Sequence, residues 1–136
     1  MSRRPRSFRF REELLSELAA HAPEAGLSPS ALAERYVDEG LKRESHPLIV
    51  FRDGRGGRRA SVAGTRLDVA QVVETAKGSD SPSDAAEYLG IPTMHVEACI
   101  SYYLDYRDEV DAWTERMHAL ADDAEEAWRQ RQKVFA

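Results

Sequence analysis

Few residues of this 136-residue chain are spaced like reacting groups. His95 and Cys99 stand at i, i+4, a spacing that puts two metal ligands on one helix face, but no second pair follows them, and a structural zinc site takes four ligands. The glycine-rich Asp53-Gly-Arg-Gly-Gly57 lacks the Gly-Lys-Ser/Thr ending of a phosphate-gripping loop and reads as a turn. His21, His46 and His118 have no serine or cysteine constellation around them, and the acids from Asp105 to Glu126 have helical spacing, not the Asp-x-Asp spacing of a calcium loop. The expectation is a chain with no catalytic centre, no metal and no cofactor, and so not an enzyme. What remains is ionic chemistry: Arg3, Arg4, Arg6, Arg9 and Arg11 crowd the first eleven residues, where no acid balances them.

That crowding is invisible in the net charge of -5. Taken by segment, residues 1–11 carry +5, 12–44 carry -5, 45–66 carry +4, 67–104 carry -5, 105–128 carry -7 and 129–136 carry +3. A basic arm on an acidic body is the footprint expected of a nucleic-acid binder, because phosphates attract the arm and repel the rest. The length rules out large catalytic scaffolds and suits one domain or two small ones. The single cysteine cannot form an internal disulfide, no apolar run approaches a membrane span, and the basic start leads into no secretory-type stretch, so the expected location is cytoplasmic.

The elements that must carry these charges are short. Ser7 to Arg11 alternate, placing Phe8 and Phe10 on one face of a strand and Ser7, Arg9 and Arg11 on the other. From Glu12 the period becomes helical through Leu14, Leu15 and Leu18, and His21-Ala-Pro-Glu-Ala-Gly26 is expected to break that helix. Ser28 then caps a second helix with Pro29 at its first position and Leu32, Tyr36, Val37 and Leu41 on its apolar side. A unit of about 40 residues cannot bury enough surface alone. A homodimer, pairing the two strands as an antiparallel ribbon over four helices, would supply the missing core.

Ser-Phe-Arg-Phe-Arg-Glu-Glu-Leu-Leu (7–15), Gly-Leu-Ser-Pro-Ser-Ala-Leu-Ala-Glu (26–34) and Glu-Gly-Leu (39–41) resemble the ribbon-helix-helix DNA-binding family. The resemblance implies that Ser7, Arg9 and Arg11 enter the major groove of operator DNA, with Arg4 and Arg6 beside them, and that Ser28 and Ser30 hold a phosphate at a helix N-terminus.

Residues 45–66 read as a hairpin, two extended runs, Leu48 to Phe51 and Ala60 to Ala63, joined by the glycine turn. Asp68 or Thr65 can cap a helix carrying Val69, Val72 and Val73 to Gly78. Ser81 caps another that ends at Gly90, and Pro92-Thr93 opens the last and longest, a helix-turn-helix pattern. His46-Pro-Leu-Ile, Gly64-Thr-Arg-Leu-Asp-Val69, Ser81 to Tyr88, and Val96 to Tyr103 with Glu109 are similar to a small winged-helix-like bacterial domain of unknown function. That domain resembles antitoxins encoded beside toxins, often ribonucleases of the PIN type.

Beyond Val110 the helical stripe continues through Trp113, Met117, Leu120, Ala124 and Trp128 to the basic Arg129, Arg131 and Lys133 and to Phe135. The expected organisation is mainly α with short β: a ribbon-helix-helix head over 1–44, a winged-helix-like domain over 45–110, and an amphipathic toxin-binding helix over 111–136. The corresponding function is an antitoxin that represses its own operon as a homodimer, or a higher oligomer with toxin, and neutralises a toxin through Trp113, Met117, Leu120, Trp128, Arg129, Arg131 and Phe135. The alternative is a stand-alone ribbon-helix-helix regulator with no toxin partner. The neighbouring gene would separate the two.

Overall fold

The computed structural model describes residues 3–136, which form six helices and one two-stranded antiparallel sheet. The chain divides into two compact units, one ending at Lys42 and the other beginning at Arg43. No helix among the described residues is long and apolar enough to cross a membrane.

The first unit is an arm and two helices. Helix α1 spans Glu12–Ala25, with Glu12 and Glu13 near its positive end. It does not break at His21, as the sequence suggests, because Pro23 sits in the last turn, where its missing N–H and its ring cost only one hydrogen bond. The helix stops at Gly26, whose φ of 67° is a left-handed cap that only glycine adopts freely, and Leu27 N–H closes the motif onto the Ala22 carbonyl at 3.1 Å. Helix α2 follows over Pro29–Ser45, and the Ser28 hydroxyl accepts a hydrogen bond from Ala31 N–H at 3.1 Å, as a capping serine should.

Only Leu18, Ala22 and Leu32 are buried here, with Ala25, Leu27 and Ala33 partly covering them. Of the apolar face expected on α2, Leu32 is covered, but Tyr36, Val37 and Leu41 are 51%, 57% and 66% exposed. Residues 3–11 hold no strand within the single chain, although Arg11 has the extended angles φ -61°, ψ 150°. A two-helix unit offers this segment no sheet edge, so ladder hydrogen bonds would have to come from outside the unit.

The second unit begins with strands β1 (Ile49–Arg52) and β2 (Arg59–Val62), paired so that Ile49 faces Val62 and Arg52 faces Arg59. Helices α3 (Val69–Lys77) and α5 (Thr93–Asp105) pack on the hairpin, and α4 (Pro82–Leu89) packs on both of these helices. Their starts match the sequence expectation: Asp68 makes a capping box with Gln71, and the Ser81 hydroxyl accepts from Asp84 N–H at 3.1 Å. Ile49, Val62, Val69, Val72, Val96, Cys99 and Tyr102 form the centre of the core, none more than 1% exposed.

The long helix expected from Thr93 onward is two helices. At Tyr106 (φ -133°, ψ 48°) the chain leaves α5, and α6 runs over Arg107–Val134. The break lets the Tyr106 ring turn back onto Tyr102, 4.8 Å between centroids, and onto His46 at 5.9 Å. Tyr102 is the hub of this cluster: it meets His46 edge-on at 5.1 Å and Phe51 at 6.4 Å, and its hydroxyl donates to Glu109 on α6. His46 Nε2–H donates to Asp105 at 2.8 Å, and the ring's side chain is only 6% exposed. A buried ring with a satisfied polar edge anchors the start of β1 to the end of α5.

The tip of the hairpin lies against the first half of α6. Gly56 has a φ of 92°, and a Cβ there would stand 2.8 Å from Met117 Cε and 3.0 Å from Leu120 Cδ1. Gly56→Val combines that crowding with a left-handed backbone, which costs a β-branched residue about 1–3 kcal/mol. Urea unfolding followed by tryptophan fluorescence should show that loss, and an unchanged midpoint would mean that the tip does not pack on α6.

Candidate interaction surfaces

The basic arm is fully exposed: every residue from Arg3 to Arg11 lies at the surface of the first unit. Arg3 makes one ion pair, to Glu34 at 3.3 Å, with both side chains mostly in solvent, so the bond is worth little. Arg4, Arg6, Arg9 and Arg11 have no acidic partner among the described residues, and Ser7 is exposed among them. These are the guanidinium groups of the arm left to meet an outside anion. Ser28 and Ser30 sit at the start of α2, both exposed, with the Ser28 hydroxyl already engaged by Ala31 N–H. Phe8 and Phe10 are 76% and 39% exposed, and Leu15 is 46% exposed. The arm thus presents aromatic and cationic side chains together, next to helices whose apolar face is open.

The arginines of the hairpin are differently employed. Arg59 Nε–H donates to Asp68 at 3.1 Å, its Nη1 donates to the Gly57 carbonyl at 3.2 Å, and its guanidinium lies 5.6 Å from the Trp113 ring centroid. Asp68 also accepts from the buried Ser61 hydroxyl at 3.1 Å, so one nearly buried carboxylate fastens β2, the hairpin turn and the start of α3. Arg52 donates to the Val62 carbonyl at 3.0 Å, and Arg58 pairs with Asp53 at 3.0 Å. Arg55 and Arg66 are exposed and have no ion pair among the described residues. The Arg-rich hairpin is therefore largely a structural clamp, a role that its composition alone does not reveal.

Helix α6 changes character along its length. Trp113, Met117 and Leu120 are half-buried on the hairpin tip, while every residue from Ala121 to Ala136 is exposed. Of the stripe read from the sequence, Trp113, Met117 and Leu120 are brought together inside the unit. Trp128, Arg129, Arg131 and Phe135 are not; Trp128 is 58% and Phe135 86% exposed. Arg129 is held by Glu125 at 2.7 Å and Glu126 at 3.3 Å, whereas Arg131 and Lys133 have no acid within one helical turn. The lower part of the helix is tied to its unit by His118 Nε2–H donating to Glu74 at 3.1 Å, and by Tyr103. The Tyr103 hydroxyl donates to Asp111 at 2.9 Å and accepts from Lys77 at 3.0 Å, the bond that chiefly raises the Lys77 pKa above its ordinary value.

His95 and Cys99 do not make a metal centre with their surroundings: among the described residues no group of three or more His, Cys, Asp or Glu side chains could hold an ion. Cys99 lies in the core, where burial pushes its thiol up to about 12 from an ordinary value of 9 and suppresses the reactive thiolate. The residues that the sequence did not single out are Asp68 as a clamp and the pair of Asp105 with His46. The signal for the first lies in Arg59 and Ser61 on β2, nine and seven residues before it. The second joins positions 59 apart, and no local pattern marks it.

Searches against protein-family models, curated proteins and solved structures find no match to this chain.

Proposed function

We propose that the protein is a dimeric DNA-binding regulator of the antitoxin kind, with a ribbon-helix-helix head and a tail helix that holds a partner protein. The observation that carries this reading is the open apolar face of the first unit. Phe8, Phe10, Leu15, Tyr36, Val37 and Leu41 stay in solvent in the single chain, beside an arm with free arginines and no strand partner. A second head would cover that face, and each large side chain fully buried would contribute about 1.5–3 kcal/mol. The same pairing would turn the alternate residues Ser7, Arg9 and Arg11 of two chains outward as one basic ribbon, narrow enough for the major groove. Arg4 and Arg6 would add phosphate contacts, and the α2 N-terminus with Ser28 and Ser30 would seat one more phosphate.

The tail supports the second half of the reading. Past Leu120, α6 leaves its own unit with Trp128, Val134 and Phe135 exposed and with unpaired Arg131 and Lys133 at its end. Such a helix suits a groove in a partner that offers apolar pockets near carboxylates. In a toxin of the PIN-nuclease type, those carboxylates would be the metal-binding acids, and a guanidinium among them would compete with metal and substrate.

Two experiments separate the halves. In a gel-shift titration at fixed salt with the DNA upstream of its own reading frame, Arg9→Ala should weaken specific binding by about 1–3 kcal/mol, the worth of one bidentate base contact. Unchanged affinity would count against the ribbon. The double variant Trp128→Ala/Phe135→Ala should keep that DNA affinity and lose co-purification with the product of the adjacent gene, since anchor side chains each carry about 2 kcal/mol or more. Full co-purification of the double variant would remove the tail from the interface.

A further inference from the structure

Where the hairpin tip leaves α6, a groove of about 300 Å³ remains, lined by Arg55 and Arg59 on one side and by Met117, Leu120, Ala121 and Ala124 on the other. That volume is at the small end of the ~300–1,000 Å³ typical of ligand pockets, and the groove is open to solvent. A free small molecule lying in it would keep much of its surface in water. A side chain carried on a larger surface would be covered from both sides, so a protein is the better occupant. The two arginines of the wall are not equally available. The Arg59 guanidinium is engaged by Asp68 and the Gly57 carbonyl, whereas Arg55 is exposed and has no ion pair among the described residues.

The groove is also the start of a longer stripe. At 100° per residue, Ala121, Ala124, Trp128, Arg131 and Phe135 lie within about 40° of the direction of Met117, so the groove floor and the exposed anchors of the tail share one helix face. Asp122, Asp123 and Glu126 point about 120–180° away from that direction. Glu125, at the edge of the face, is held by Arg129 at 2.7 Å. The charges left along the stripe are therefore cationic, Arg55 at its start and Arg131 near its end, neither with an ion pair among the described residues. Trp128 and Ala124 are about 6 Å apart along the axis, so a surface that covers the indole meets the groove next.

We infer that the protein held by the tail seats an aromatic side chain in this groove and sets a neighbouring carboxylate against Arg55, an inference that rests on the reading that α6 holds a partner. The lining selects both parts. Met117 gives the floor a polarizable thioether that favours a ring, and the guanidinium wall gives the ring a cation, as Arg59 already does for Trp113 within the chain. The small Ala121 and Ala124 leave the space open on the helix side. An acid beside the ring answers the charge of Arg55, whereas a basic surface would set like charges at the rim. Arg55 is then a specificity residue supplied by the hairpin, outside the tail itself.

The test is titration of the full-length chain with the purified product of the adjacent gene at fixed salt. Arg55→Glu sets acid against acid at the rim and should weaken binding roughly ten-fold or more; Ala124→Trp fills the groove and should do the same. Arg66→Glu makes the same charge change at an exposed arginine outside the groove and should bind as the wild type does. Arg55 and Ala124 are exposed, so both variants should keep the wild-type circular dichroism spectrum. Wild-type affinity in either of them, in a series where Trp128→Ala/Phe135→Ala has lost binding, would overturn the inference and leave the tail reading intact. An equal loss from Arg66→Glu would also overturn it, by tracing the effect to net charge. No binding by the wild-type chain would remove the tail reading and the inference together.

Discussion

Among the described residues, the first unit buries only Leu18, Ala22 and Leu32, while six other apolar side chains stay in solvent around them. Ordering a residue costs about 1–2 kcal/mol of backbone entropy, and two helices closed on so thin a core recover little of it. Covering Tyr36, Val37 and Leu41 with a second head would supply the missing burial, and pairing two arms would supply the ladder that residues 7–11 lack. In such a dimer the arginines would not be an appendage: the arm would be ordered as part of the core and would hold Arg9 and Arg11 on a fixed face.

The second unit solves the same problem within one chain. Tyr102 gathers His46, Phe51 and Tyr106 around one buried ring, and Asp68 ties Arg59, Ser61 and the α3 cap to one carboxylate. These two hubs fix the hairpin against α3, α5 and α6. Of the five arginines in this +4 segment, Arg59 is held by the Asp68 hub, Arg58 by Asp53 and Arg52 by the Val62 carbonyl, so three of them serve the hairpin itself. The cost of fixing α6 at its base is that the rest of the helix projects with nothing of its own to cover it. That exposed length is what makes a partner protein worth proposing.

Much of this organisation is legible in the sequence where the signals are local. Ser28-Pro29, Ser81-Pro82, Gly78 and Gly90 mark helix ends, and the residue types of Leu48–Phe51 and Ala60–Ala63 mark the hairpin, because caps and turns depend on near neighbours. Two boundaries are misread for a common reason. Pro23 signals a break, yet in a last turn it is tolerated, and Tyr106 gives no signal although it ends α5, because the break there is set by ring packing across the core. The stripe on α6 is legible as amphipathic from Trp113 to Trp128, but its division at Leu120 depends on how far the hairpin tip reaches. That reach is set by Gly56, distant in sequence.

The central claim is that residues 7–11 form a strand only when two heads meet. Hydrogen exchange of the amides of Ser7 to Arg11 in the full-length protein, followed as the protein is diluted, measures this directly. Protection in an alternating pattern is expected at high concentration, lost on dilution together with protection of α2. Fast exchange at residues 7–11 at every concentration, with α2 protected throughout, would contradict it.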